Sequence, residues 1–153
     1  MDLNTNVKLP KKQFYILIVA LGVVLFALSA EVMIRAKDIL LYDEWYKEAA
    51  AGGLSAGHEE AFGVYLSLNL SDVFFKAIVP MLLGVYSYFA YVKIRINKLF
   101  VFIWTVLLVG AAAYVAVGRN FNSIFYYIIL TFYIISVITV LSLIKVIDES
   151  KYT

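Results

Sequence analysis

Apolar residues along the chain gather into four long runs, from about Phe14 to Ile34, Val73 to Val92, Leu99 to Gly118 and Ile124 to Ile144. A bilayer hydrocarbon core about 30 Å thick takes roughly 20 residues of helix, and each run has that length. Runs three and four hold no charged residue, run two holds only Lys76 and run one only Glu31, each near one end. None alternates as a membrane-barrel strand would, and backbone polar groups in lipid must be bonded within their own segment, so helices are predicted. The pattern therefore predicts an all-α integral membrane protein: four transmembrane helices in one domain, with a long, partly helical outer loop over residues 35–72.

Composition strengthens this picture. The 153-residue chain is 63% hydrophobic and 16% charged, and its mean hydropathy is +0.88. A soluble chain is nearer half apolar and a quarter charged, and one this small could not bury such an excess. The lipid bilayer is thus the first implied partner. The first run has a basic flank (Lys8, Lys11, Lys12), but it is longer than the apolar stretch of a signal peptide and continues past Glu31, so it is read as a retained helix.

Lysine and arginine set the orientation. With both termini inside, eight basic residues flank the inner side and five the outer side. The compact segment Lys93-Ile94-Arg95-Ile96-Asn97-Lys98 is the clearest inner loop. A multi-pass protein of the cell membrane with cytoplasmic N- and C-termini is expected. The two short links make runs two and three, and three and four, antiparallel neighbours.

Residues 35–72 are the distinctive stretch. From Arg35 to Ala51 no glycine or proline intervenes until Gly52-Gly53, which predicts a helix that stops there. Ile39, Tyr42 and Tyr46 share one face, with Trp45 beside it, and Asp43 precedes Lys47 by a helical ion-pair spacing. This helix is expected to continue span one out of the membrane, or to bend and lie along the outer surface with Trp45 and Tyr46 at headgroup level, or else to offer Ile39, Tyr42, Trp45 and Tyr46 to a partner. Leu54 to Glu60 reads as a turn-rich connector. Val64 to Leu70 alternates apolar and polar residues, which predicts a short interfacial segment, and Ser71 is placed to cap the second membrane helix.

Ionisable residues at membrane depth are costly and are functional candidates. Glu31 and Arg35 are four apart on run one; Asp72 and Lys76 are four apart at the start of run two. Each pair can neutralise itself along its own helix as an interfacial anchor, or the two can meet in a four-charge cluster, with His58 and Arg119 as neighbours. The stretch Ala30-Glu31-Val32 in a first span resembles the membrane-embedded glutamate of small multidrug-resistance transporters, which are also short four-helix proteins. That resemblance implies an ion or substrate pathway with Glu31 as its titrating group; the long outer stretch departs from their compact pattern. The layout of four spans, inner termini and a large first outer segment is similar to that of claudin-like proteins, whose Trp-Gly-Leu-Trp and cysteine-pair signature is absent here.

The remaining features are structural. Pro80 predicts a kink in run two; Gly110 to Ala113 with Ala116 and Gly118 gives run three a small-residue packing face. Tyrosines at Tyr86, Tyr88, Tyr91, Tyr126, Tyr127 and Tyr133 suit an aromatic belt or contacts between helices. The sequence has no cysteine and one histidine, His58, and carries no phosphate loop and no nucleophile with a nearby base. No enzyme, cofactor, metal or nucleic-acid partner is expected. The leading expectation is an accessory or assembly subunit bound to another membrane protein or to itself. The alternative is a small oligomeric transporter or channel using Glu31 with Asp72 and Lys76.

Overall fold

The computed structural model describes residues 7–118 and 123–150. In chain order it forms β1 (Val7–Lys8), α1 (Lys11–Lys37), α2 (Ile39–Ala51), α3 (His58–Val92), β2 (Arg95–Ile96), α4 (Lys98–Val117) and α5 (Ile124–Glu149). Four of these helices, α1, α3, α4 and α5, are long and apolar enough to cross a membrane. All four predicted spans lie within these helices or end one residue beyond them.

On α1 and α5 the buried positions include a seam at three- and four-residue spacing, as knobs-into-holes packing requires. On α1 the seam is Leu17, Leu21, Val24, Leu28 and Glu31; on α5 it is Tyr126, Ile129, Tyr133, Ser136, Val140, Leu143 and Ile147. The first helix is the keystone. It packs along both α3 and α5, and α5 in turn packs along α4, while α3 and α4 touch over a shorter stretch. Outside the seams the surface is apolar: Val19, Phe26, Leu82, Val85, Phe102, Val106, Ile134 and Ile138 are all exposed. A continuous apolar exterior of this kind is the surface that lipid covers.

Both ends of the described chain lie at one end of the bundle. β1 pairs antiparallel with β2, Val7 opposite Ile96 and Lys8 opposite Arg95. This two-residue pairing buries Leu9 and Ile96, and Phe14 stacks on Tyr91 just inside it at 4.4 Å between ring centres. Lys98 then meets Asp148 at 2.6 Å, drawing the end of α5 to the start of α4. The segment 93–98, read from sequence as a plain inner loop, is thus tied to the chain that precedes α1. The opposite end of the bundle is here termed the far end.

The long outer loop is not found. Asp38 alone separates α1 from α2, and only residues 52–57 separate α2 from α3. Asp38 makes the sharp bend possible: its carboxylate accepts from the Leu40 and Leu41 amides and caps α2. Gly53 at φ 99° provides the left-handed residue that ends the turn after α2. The third helix begins at His58, with Gly57 as its N-cap. The connector from Leu54 therefore stops at Gly57; the alternating segment Val64 to Leu70 is helix, and Ser71 lies mid-helix rather than at a cap. At about 1.5 Å per residue the 35 residues of α3 run about 52 Å, so about 15 residues project beyond a hydrocarbon core measured from Val92. Replacing Asp38 with alanine is expected to cost about 1 kcal/mol. Hydrogen exchange should then quicken at Leu40 and Leu41 and stay unchanged in α4; no change at α2 would show the cap to be idle.

Candidate functional site

The seams that hold α1 against α3 do not stay apolar to their ends. On α1 the steps Val24, Leu28, Glu31 and Arg35 carry the seam from hydrocarbon into charge. On α3 the residues His58, Phe62, Tyr65, Asn69, Asp72 and Lys76 recur at spacings of four, three, four, three and four. Both helices thus direct polar residues toward the other at the far end of the bundle, and the four charges expected from sequence come together there.

Arg35 donates through Nη2 to Glu31 Oε1 at 2.7 Å. The Lys76 ammonium donates to Asp72 Oδ2. Glu31 is the most enclosed of the described carboxylates, at 8% exposed, while the Asp72 side chain keeps about a third of its surface open, 35%. Each pair lies within one helix, and among the described residues no ion pair links α1 to α3. What joins them is space. A recess of about 180 Å³ is lined by Glu31, Arg35, Asp72 and Lys76 with Val115, Tyr126 and Ile129. Above it opens a cleft of about 500 Å³, whose walls are Arg35, Leu41, Trp45, Tyr65, Leu68, Asn69 and Asp72. Arg35, Asp72 and Gly118 border both.

Three tyrosines fix this arrangement, and composition alone assigned none of them to it. Tyr114 of α4 donates to Asp72 Oδ1 at 3.3 Å. Tyr65 donates to the Arg35 carbonyl at 3.5 Å, near the C-terminal end of α1, where the same carbonyl also accepts from the Asp38 amide at 3.2 Å. The third case follows from Pro80. A proline has no N–H, so the carbonyl four residues earlier, that of Lys76, has no helical donor. Tyr133 of α5 is fully buried and donates to that carbonyl at 2.6 Å. The carbonyl that Pro80 leaves without a helical donor is therefore held from across the bundle, at the residue that supplies one of the four charges.

The upper wall is α2. Tyr42 is 6% exposed and donates to the His58 carbonyl at 2.7 Å, with His58 Nδ1 at 3.1 Å. It also meets Phe62 edge-on at 5.1 Å between ring centres and Tyr65 at 5.5 Å. Burial, with Tyr46 and Asp43 nearby, raises the Tyr42 hydroxyl above its ordinary pKa, so it remains a neutral donor. Tyr46 lies against the His58 ring at 4.3 Å, and Trp45 packs 5.3 Å from Tyr65 while lining the cleft. The aromatic part of the face read as a docking surface (Tyr42, Trp45, Tyr46) is thus turned onto the chain's own third helix. Ile39, with Leu40 and Leu41, stays exposed. His58 belongs to this aromatic group instead of bordering the charges, Arg119 lies outside the described residues, and Asp43 and Lys47 do not form an ion pair among the described residues.

Two pairs of opposite charge around a recess that Tyr126 borders, beneath an aromatic wall, make an arrangement suited to binding. Compared with known protein families, with curated proteins and with solved structures, the chain finds no match.

Proposed function

We propose that the protein is a non-enzymatic membrane protein that admits a small solute bearing charged groups at its far end, between Glu31, Arg35, Asp72 and Lys76, and acts as a small oligomeric carrier. The observation that supports this reading is the meeting of two ion pairs from different helices around a shared cavity at membrane depth. Charges there are costly, and two self-contained pairs would not need an open volume between them. The lysine and arginine balance favours cytoplasmic termini, so the cleft would face the outside of the cell membrane. Four helices enclose little by themselves, and a homodimer would complete a pathway.

Reconstitution into proteoliposomes tests the reading. On a jump in pH or in the concentration of a small solute such as glycine betaine, wild-type vesicles should give a charge movement on a solid-supported membrane that Glu31→Gln abolishes while the variant keeps its helical circular dichroism. Equal currents from the two proteins, or none above empty vesicles, would count against transport.

The second reading is an accessory subunit of a larger membrane complex. It is favoured by the exposed Ile39, Leu40 and Leu41 at the start of α2, apolar side chains on a surface helix. Native mass spectrometry after mild detergent extraction separates the two. A stoichiometric larger partner supports the accessory role, and a homodimer supports the carrier.

A further inference from the structure

Resting on the solute-binding reading, we infer that the ligand class is zwitterionic: a molecule or lipid headgroup carrying one anionic and one cationic centre. The argument starts from charge balance. Among the described residues the charges at the site, Glu31, Arg35, Asp72 and Lys76, sum to zero, so these four side chains offer no net attraction to a lone ion, which would give up its hydration to them for little return. A dipolar ligand is compensated at both ends.

The side chains present such ends in the right places. Arg35 and Asp72 come from different helices, border both the cleft and the recess, and do not pair with each other. Among the described residues the Arg35 guanidinium spends one of its donors, on Glu31, and a guanidinium has five in a planar fork suited to carboxylate or phosphate. Asp72 is the most open of the four side chains. Trp45 and Tyr65 stand beside it in the cleft wall, and aromatic faces attract ammonium groups. An anionic group on Arg35 and an ammonium group between Asp72 and the two rings would bridge the gap that the protein leaves unbridged. The cleft, at about 500 Å³, lies within the range of small-molecule sites. Its depth also fits. Counted from Val92, Asp72 falls at the hydrocarbon boundary, the level of lipid headgroups, so the same chemistry can arrive dissolved or attached to a lipid.

The purified full-length protein in detergent tests this with defined probes. Glycine betaine and glycerophosphoethanolamine represent soluble zwitterions, and phosphatidylethanolamine the lipid form. Inorganic phosphate and phosphatidylglycerol are the anionic controls, and tetramethylammonium the cationic one. Thermal shift reads the soluble probes and native mass spectrometry the lipids. At least tenfold tighter binding of a zwitterion than of either single charge is expected, with Asp72→Asn and Arg35→Lys each reducing that preference several-fold. Asp72→Asn alters a partly open side chain and Arg35→Lys keeps the charge, so both variants should fold. Binding of soluble zwitterions assigns a free solute, and binding of phosphatidylethanolamine alone assigns a headgroup; either supports the inference. Equal or tighter binding of phosphate, phosphatidylglycerol or tetramethylammonium overturns it and leaves solute binding standing. No binding by any probe, together with silent proteoliposomes, overturns both.

Discussion

Replacing Arg35 with alanine is expected to destabilise the protein by about 3 kcal/mol, the low end of the cost of breaking an enclosed ion pair from one side. The expectation rests on asymmetry within the pair. Glu31 is nearly enclosed, while Arg35 keeps part of its guanidinium exposed, with side-chain values of 10% and 27%. Removing the arginine takes the guanidinium from a carboxylate that is mostly enclosed and less free to turn toward water. Removing the carboxylate with Glu31→Gln leaves an arginine that can swing its head outward, and should cost about 1 kcal/mol. Changing both residues to methionine should recover most of the loss, because two well-packed apolar side chains can replace a buried pair without penalty. Unfolding followed by circular dichroism in one detergent measures all three. Equal small losses for the two single variants would mean that the pair is solvated, and the recess would then be an open vestibule instead of an enclosed site.

The sequence revealed the bundle because lipid permits few solutions. Runs such as Leu99 to Gly118 have the length and apolarity of a span, and nothing else satisfies their backbone in hydrocarbon. The charge cluster was legible for a related reason: Glu31, Arg35, Asp72 and Lys76 stand out against apolar neighbours, and four-residue spacing puts each pair on one helix face. The outer half of α3 was misread because its seam is written in aromatic and polar residues. His58, Phe62, Tyr65, Asn69 and Asp72 keep helical spacing as strictly as Leu17, Leu21, Val24 and Leu28 do on α1. Hydropathy registers only the second set, and the alternation of Val64 to Leu70 gave the opposite signal. The helix prevails because Tyr65 is buried against α2 while Ser67 and Asn69 turn their polar atoms back onto the Gly63 and Tyr65 carbonyls. The β1–β2 pairing was invisible for want of length: two residues on each side make no period. Tyr133 shows a further limit. Its place in a tyrosine-rich fourth span suited an aromatic belt, and only the packing of α5 across the bundle shows that it answers Pro80.

That answer can be tested as a coupling. Tyr133→Phe removes the donor to the Lys76 carbonyl and adds nothing, so a buried acceptor is left without a partner, at an expected cost of about 1–3 kcal/mol. Pro80→Ala restores an N–H four residues after Lys76, and the helix can then close its own bond. In the Pro80→Ala background the same Tyr133→Phe change should cost less by about 1 kcal/mol, since the carbonyl is already satisfied. The non-additivity is the diagnostic, because a tyrosine that merely fills space would lose the same amount in either background. The coupling also bears on the site. Lys76 carries both the carbonyl that Tyr133 holds and the ammonium that faces Asp72, so loosening the first should shift the second. Tyr133→Phe should therefore weaken binding of whichever probe the cleft accepts, and Pro80→Ala with Tyr133→Phe should recover it. Recovery of stability without recovery of binding would show that Pro80 itself, and not only the satisfied Lys76 carbonyl, shapes the recess.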